Sequence, residues 1–218
     1  MAHKFVAMLV SDSVQSSYTA IGTVWPHLGA TVLKVLIGLL WGTWIGVPIG
    51  VFMGSFKGFG RFLEPSVGVA RVIPVTALGA LFYRVFGMGD ATNVAMVTYA
   101  TSLLMVVGAV EGIRATENTE IVEAAKLDGA SAWGLIRHIT AELALPQIYA
   151  NIRVSYQLGI VLMIVLEQYS HYGLGAVLYK AQLAYRVDEA WAIIVLLGIL
   201  GFAVDYGLRR LRPWLISW

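Results

Sequence analysis

Long apolar runs separated by short polar segments dominate the chain and predict a bundle of membrane-spanning helices. Each run meets or nearly meets the ~20 apolar residues that a helix needs to cross the hydrocarbon of a bilayer. The five predicted spans cover about residues 28–54, 62–86, 92–113, 145–169 and 190–206. A mixed, serine-rich segment, residues 1–27, precedes them.

The first predicted span carries five glycines at strict four-residue spacing. They are Gly38, Gly42, Gly46, Gly50 and Gly54. Small residues at this spacing let helix backbones approach closely in lipid, where hydrophobicity provides no drive to associate. The stripe drifts around the helix by roughly 40° with each step. We therefore expect it to pack against more than one neighbouring helix.

The most charged part of the chain, residues 115–142, lies between the third and fourth predicted spans. Ala124 and Ala125 favour a helix there. Gly129 suits the left-handed conformation that ends a helix, and Ser131 can cap a second short helix. A helix, a glycine bend and a helix between two spans make a compact knob at the membrane surface, suited to fit a groove on another protein.

Composition supports the membrane class and excludes several kinds of chemistry. The chain is 58% hydrophobic and 13% charged, whereas soluble domains are about a quarter charged. Its net charge of +2 is too small to indicate nucleic-acid binding. It has no cysteine, and its four histidines lack metal-ligand spacing, so no metal site or catalytic residue is predicted. Since no phosphate-binding loop Gly-x-x-x-x-Gly-Lys-Ser/Thr occurs, the chain cannot hydrolyse ATP itself.

The charged segment contains a motif of known type. Glu123-Ala124-Ala125, three residues and then Gly129-Ala130-Ser131 resemble the EAA loop of ABC-importer permeases, the membrane subunits of ATP-driven uptake systems. In that family the loop contains the coupling helix that docks onto the ATPase. The resemblance implies that the ATPase-coupling residues are Glu123, Ala124, Ala125, Asp128, Gly129, Ala130, Ser131, Trp133 and Ile136.

One departure from the family concerns the far side of the loop. Relatives usually carry Leu-Pro about four residues before a second Leu-Pro, and here Ala141 and Glu142 occupy those positions. Only Leu145-Pro146 is kept, and we expect Pro146 in the first turn of the following helix. The departure predicts a more continuous helix after the loop than relatives have.

Three further motifs resemble the sulfonate, nitrate and taurine branch of these permeases. They are Arg71-Val72-Ile73-Pro74, Phe86-Gly87-Met88-Gly89, and Glu167 followed by Gly173-Leu174-Gly175. The resemblance implies the type I ABC importer permease fold, all-helical with about five transmembrane helices. It also implies a small anion such as a sulfonate, taurine or nitrate as the solute, although the branch includes importers of vitamin precursors. Many members carry an extra span at the start, which we expect this chain to lack.

Basic residues predict the orientation in the membrane. With the 115–142 loop inside, eight Lys and Arg residues lie inside and four outside, as the positive-inside rule requires. Five spans then place the N-terminus outside and the C-terminus inside. Residues 1–27 become an N-terminal interfacial or periplasmic segment, and residues 28–218 the transmembrane permease domain.

The resemblance also implies a cellular setting and partners. The protein is expected in the bacterial or archaeal cytoplasmic membrane. Its expected partners are ABC ATPase subunits that carry ATP and Mg, a second permease subunit in a homodimer or heterodimer, and a periplasmic or lipid-anchored substrate-binding protein. No cofactor is expected on this chain itself.

Ionisable side chains within membrane spans are costly and are therefore candidates for function. The candidate pathway residues are Arg71, Arg84, Glu167, Gln168 and His171, the last two because they belong to the most polar run near the outer face. Glu167 either lines the pathway or pairs with Arg71, Arg153 or Lys34 from a neighbouring helix. The alternative is a glutamate at a helix end whose carboxylate reaches water.

The two arginines of the second predicted span have different expected roles. Arg84 either attracts anions at the mouth of a pore or anchors the helix among lipid headgroups. For Arg71 we favour a structural role, in which its side chain hydrogen-bonds carbonyls that Pro74 leaves free.

Two other functions remain open to the sequence. A membrane scaffold or enzyme subunit would recruit a cytosolic partner through the 115–142 loop without transport. A passive channel would conduct without ATP. Co-purification with an ATPase that carries a nucleotide-binding loop distinguishes a permease from both.

Overall fold

The computed structural model describes residues 24–116 and 119–215, and the chain is helical over these ranges. Its α-helices are α1 (Val24–Ser55), α2 (Lys57–Val72), α3 (Gly79–Phe86), α4 (Asp90–Thr116), α5 (Glu120–Leu127), α6 (Ala132–Leu135), α7 (Ala141–Glu167), α8 (Leu174–Leu183) and α9 (Val187–Leu215). A 3-10 turn at Val75–Leu78 precedes α3, and a π-helical turn at Ile136–Thr140 joins α6 to α7. Of the predicted N-terminal segment 1–27, only the last four residues are described, and they begin α1.

The glycine stripe of α1 packs entirely against α4. A Cβ atom added to any of its five glycines would collide with α4, at Val97, Thr101, Met105, Ala109 and Ile113 in turn or at the backbone beside them. The prediction that the stripe meets more than one helix is therefore wrong. The physical reason is that α4 presents its own row at four-residue spacing, and such rows are inclined to the helix axis by about 26°. The neighbouring helix follows the drift of the stripe.

The two rows pair in a constant register, which decides the path of the chain. Gly38 lies opposite Val97 and Gly54 opposite Ile113, so α1 and α4 run in the same direction. The chain must therefore return across the bundle between them, and α2 with α3 is the segment that does so. Together with the four long apolar helices, this bent pair makes five crossings, as predicted.

The second predicted span is not one straight helix, however. Its two halves meet at an angle of 88°. Pro74 has no backbone N–H and disfavours the helical conformation of the residue before it. Ile73 accordingly has extended dihedral angles, φ −71° and ψ 119°, and α2 ends at Val72. The span predicted over 62–86 therefore consists of two shorter helices. The break between them lies near the middle of the bundle.

The fourth crossing begins earlier than predicted. A helix runs without interruption over Trp133–Glu167, through the π-helical turn and through Pro146. The helix on the far side of the loop is continuous, as expected where Ala141 and Glu142 favour helix. That it is more continuous than in relatives stays a prediction. The placement of Pro146 in a first turn is wrong, since the helix has already formed when the chain reaches it.

The main core lies between α1, α4 and α7. Its largest buried side chains are Met96, Met105, Tyr156 and Met163. On another face of α4, Gly108 and Gly112 let α7 approach closely, with Asn151 and Ala144 directly opposite. The helix α4 therefore packs closely against α1 on one face and against α7 on another, with small residues at both contacts. It is the central helix of the bundle.

Candidate functional site

The segment between α4 and α7 forms a helical elbow, which we define as residues 119–140. The helix α5 ends at Leu127, and Gly129 has φ +80°, the left-handed conformation predicted for it. The Ser131 Oγ accepts a hydrogen bond of 3.1 Å from the backbone N–H of Gly134 and so caps α6, as predicted. The bend thus depends on one glycine and one serine, whose residue types the local backbone requires.

Large apolar side chains protrude from the elbow. Leu127 is 90% exposed and Trp133 is 61% exposed, while Val122 is buried. Of the predicted coupling residues, Glu123, Ala124, Asp128, Gly129, Ala130, Ser131 and Trp133 are exposed, and Ala125 and Ile136 are half-buried. Exposed apolar side chains among charged ones are typical of a surface that binds another protein. Sequence reasoning missed Leu127, whose signal was an apolar residue directly before the bend.

At the opposite end of the bundle, Glu167 forms a buried charge cluster with α1 and α4. Its carboxylate is fully buried and accepts hydrogen bonds from Thr31 Oγ1 at 2.7 Å and from Lys34 Nζ at 3.1 Å. The Lys34 ammonium also lies 2.6 Å from Asp90 Oδ1 and donates to the backbone carbonyl of Tyr172 at 3.0 Å. All three hydrogens of the ammonium group therefore have acceptors.

The Gly173-Leu174-Gly175 motif completes this buried charge cluster. The backbone N–H of Gly175 donates to Glu167 Oε2 at 3.1 Å, and that of Leu174 donates to Thr31 Oγ1 at 2.9 Å. A Cβ atom at Gly173, which has φ +129°, would collide with the Glu167 carboxylate. The glycines are needed because the backbone must approach the carboxylate without side chains between them.

Among the alternatives for Glu167, the structure selects pairing with Lys34. A carboxylate that reaches water is excluded by its burial, and the same burial keeps it out of any open passage in this chain. Arg153 pairs instead with Asp205, at 2.6 Å. Thr31 and Asp90 complete the cluster and were missed, because only the fold brings them to Glu167.

The other pathway candidates are dispersed. Arg71 and Arg84 are exposed in the last turns of α2 and α3, while Gln168 is half-buried and His171 exposed beyond the end of α7. Over the described ranges, no hydrogen bond links Arg71 to a backbone carbonyl, so its expected structural role beside Pro74 is wrong. The reason is that α2 ends before the proline, and no kinked helix continues past it. Arg84 keeps both of its predicted roles open.

No group of three His, Asp or Glu side chains that could hold a metal ion occurs in the part of the chain that the structure describes. The acidic and basic groups inside the bundle pair with one another instead, as in the buried charge cluster and in the pair of Arg153 with Asp205. The ion pairs between helices can transmit a displacement from one helix to the next. The exposed side chains of the elbow can bind a partner protein.

Comparisons with known proteins agree with this geometry. The chain is 26% identical over 197 residues to the taurine transport system permease protein TauC of Escherichia coli (strain K12), covering 90% of this chain and 71% of that protein. It is 24% identical over 198 residues to the putative aliphatic sulfonates transport permease protein SsuC of Bacillus subtilis (strain 168), covering 90% and 71%. It is also 26% identical over 198 residues to the riboflavin transport system permease protein RibX of Chloroflexus aurantiacus, covering 90% and 74%.

The fold matches a solved structure. An inward-facing conformation of the MetNI methionine ABC transporter superposes with a TM-score of 0.80 at 17% identity, over 92% of this chain and 99% of that one. The predicted all-helical type I importer fold and the resemblance to the sulfonate and taurine branch are confirmed. Residues 46–217 match the family described as binding-protein-dependent transport system inner membrane component. The chain therefore belongs to that family, as a multi-pass permease subunit of an ABC transporter in the inner membrane.

Proposed function

We propose that this chain forms the solute pathway of an ATP-driven importer and receives its motion from a separate ATPase through the elbow. The observation that carries the proposal is the exposure of Leu127 and Trp133 on a bend that leads directly into a membrane-spanning helix. Leu127 and Trp133, flanked by the acidic side chains of Glu123 and Asp128, form a surface that can dock into a groove with a basic rim on the ATPase.

The long helix that begins within the elbow is suited to transmit displacement. It contains 35 residues, Trp133–Glu167, and at 1.5 Å per residue it is about 50 Å long. Its inner end carries part of the docking surface, and its outer end is held by Lys34 through the buried carboxylate of Glu167. A shift of a docked elbow would move this helix as a rigid body and change the outer end of the bundle.

For the solute we propose a small anion such as a sulfonate, taurine or nitrate. Support comes from the relatives whose names specify taurine and aliphatic sulfonates. The riboflavin permease among the relatives shows that the family as a whole does not decide the solute. The proposed partners are ABC ATPase subunits, a second permease subunit and a periplasmic or lipid-anchored substrate-binding protein. Mass spectrometry of the ligand on that binding protein identifies the solute.

Purification of the tagged chain from its own membrane tests the coupling role. We expect an ATPase with a nucleotide-binding loop to co-purify. The variants Gly129→Pro and Glu123→Arg are expected to uncouple ATP hydrolysis from uptake, while membrane insertion is unchanged. Proline cannot adopt φ +80°, and it removes the N–H that bonds the Lys126 carbonyl at 3.2 Å. The arginine places a positive charge at the positive end of α5.

A matched control is Lys180→Glu, which also reverses one exposed charge but lies on α8, away from the elbow. Uptake by this control is expected to stay at the wild-type level. Wild-type uptake in both elbow variants would contradict the coupling role. Co-purification of a cytosolic enzyme without a nucleotide-binding loop would favour the scaffold function instead.

A further inference from the structure

We propose that the break between α2 and α3 is an oxyanion-binding site in the pathway, with Arg71 as its donor. The proposal rests on the proposed function, because it assigns the recognition of the anionic solute to one residue. Arg71 lies in the last turn of α2, directly before the 88° bend, and its side chain is exposed.

The depth of Arg71 in the bundle follows from the register of α1 and α4. Tyr99 lies level with Leu40, which is at the middle of α1, because Gly38 lies opposite Val97. The Tyr99 hydroxyl donates a hydrogen bond of 3.3 Å to the backbone carbonyl of Ala70. Arg71, the next residue, is therefore held close to mid-depth, far from both surfaces.

Other basic side chains of the long helices already have partners. Lys34 is saturated by Asp90, Glu167 and a carbonyl, and its cluster carries one more negative than positive charge. Arg153 and Arg209 pair with Asp205. Arg71 has no hydrogen bond or ion pair among the described residues. At mid-depth it is therefore the cation that can take an anion.

An uncovered charge at this depth would be expensive in lipid. A charged side chain at the bilayer centre is costly even on scales that allow the helix to adjust, so such residues face water-filled cavities or protein. A broken helix in a membrane has the same requirement, because its free backbone groups need polar partners. The charge of Arg71 and the helix break at Pro74 lie at the same place in the chain. Because both need polar surroundings, this face of the bent span borders water.

The guanidinium group suits the expected solute. It presents a planar fork of N–H donors that matches sulfonate, carboxylate or nitrate in a bidentate way. Arg84 lies on the same bent span, in the last turn of α3, six residues before α4 begins at Asp90. The bent span thus carries one positive charge near its outer end and one at mid-depth, a route along which an anion is attracted inward.

Charged thiol reagents test the site without knowledge of the solute. The chain has no cysteine, so Val72→Cys, at a position 82% exposed beside Arg71, introduces its one thiol. The variant is expressed with its partner subunits in membrane vesicles. We expect it to react with both sulfonatoethyl and trimethylammonium-ethyl methanethiosulfonate. The additional change Arg71→Gln is expected to lower the ratio of the sulfonate rate to the ammonium rate by about tenfold or more, since one nearby unit charge is removed.

The matched control is Leu40→Cys, 69% exposed at the same depth on α1. We expect it to react slowly with both reagents. A Val72→Cys thiol that does not react, a rate ratio that Arg71→Gln leaves unchanged, or the same anion preference at Leu40→Cys would overturn the proposal. Modification is read from the mass of this chain and does not require an ATPase to be bound. Failure of the site is therefore distinguishable from failure of the coupling role.

Discussion

Single glycines set the distance between α1 and α4. A Cβ atom at Gly42 would collide with Thr101 Oγ1 and lie 3.0 Å from the backbone nitrogen of Ser102, which cannot move aside. We predict that Gly42→Ala destabilises the protein by about 1–3 kcal/mol, the usual cost of overpacking. The control Gly198→Ala lies in α9 with open space around it. Thermal unfolding in detergent should show a lower Tm for the first variant alone, and equal values would contradict the packing described.

The buried charge of Glu167 is a second feature at this scale. Glu167→Gln removes the buried carboxylate, but the Lys34 ammonium keeps Asp90 at 2.6 Å and the Tyr172 carbonyl. The expected loss is therefore that of a hydrogen bond to a charged group, about 1.5–3 kcal/mol. The control Glu189→Gln removes a half-exposed partner of Arg186, at 3.2 Å, and such pairs contribute about 0–1 kcal/mol. The Tm of purified protein should fall strongly for Glu167→Gln and little for the control. The losses caused by Glu167→Gln and by Lys34→Met should not add in the double variant, because the two side chains are in contact. Additive losses would argue against the pairing.

At the scale of elements, the continuous helix Trp133–Glu167 is the part that connects the elbow with the opposite end of the bundle. We predict that glycine at Ile139, Thr140 and Ala141 together uncouples ATP hydrolysis from uptake. Each glycine weakens the helix by about 1 kcal/mol relative to alanine, so the segment bends where it should transmit displacement. The control places alanine at 139 and 140 and keeps Ala141. Uptake per ATP hydrolysed should be low in the first variant and near wild type in the second.

At the scale of the whole molecule, the crossing made by α4 places its start and the elbow on opposite sides of the membrane. Leu127 is 90% exposed in the elbow, and Met88 is 91% exposed just before α4. With cysteine at either position, we predict that a membrane-impermeant maleimide labels Met88→Cys in spheroplasts. Leu127→Cys should react only after permeabilisation. Labelling of both from the same side would refute the five crossings and the predicted orientation together.

The residue types along the sequence were sufficient by themselves to determine the membrane crossings, the bend of the elbow and the family. Apolar runs predict the crossings because a bilayer requires about 20 such residues in each span. The bend of the elbow also follows from residue types, because Gly129 and Ser131 satisfy conditions that involve only their immediate neighbours. The family follows from the same short motif, Glu123-Ala124-Ala125 with Gly129-Ala130-Ser131. These features need no information about which helices meet.

Only the tertiary structure decided which helices meet and which charges pair. The glycine stripe indicated close packing, but its single partner depended on a matching row in α4, more than fifty positions away. Lys34 was one of three candidate partners for Glu167, and contacts with Thr31 and Asp90 in the folded bundle selected it. The depth of Arg71 likewise follows from the register of two other helices. Such properties arise from contacts between distant segments, and no local pattern of residues encodes them.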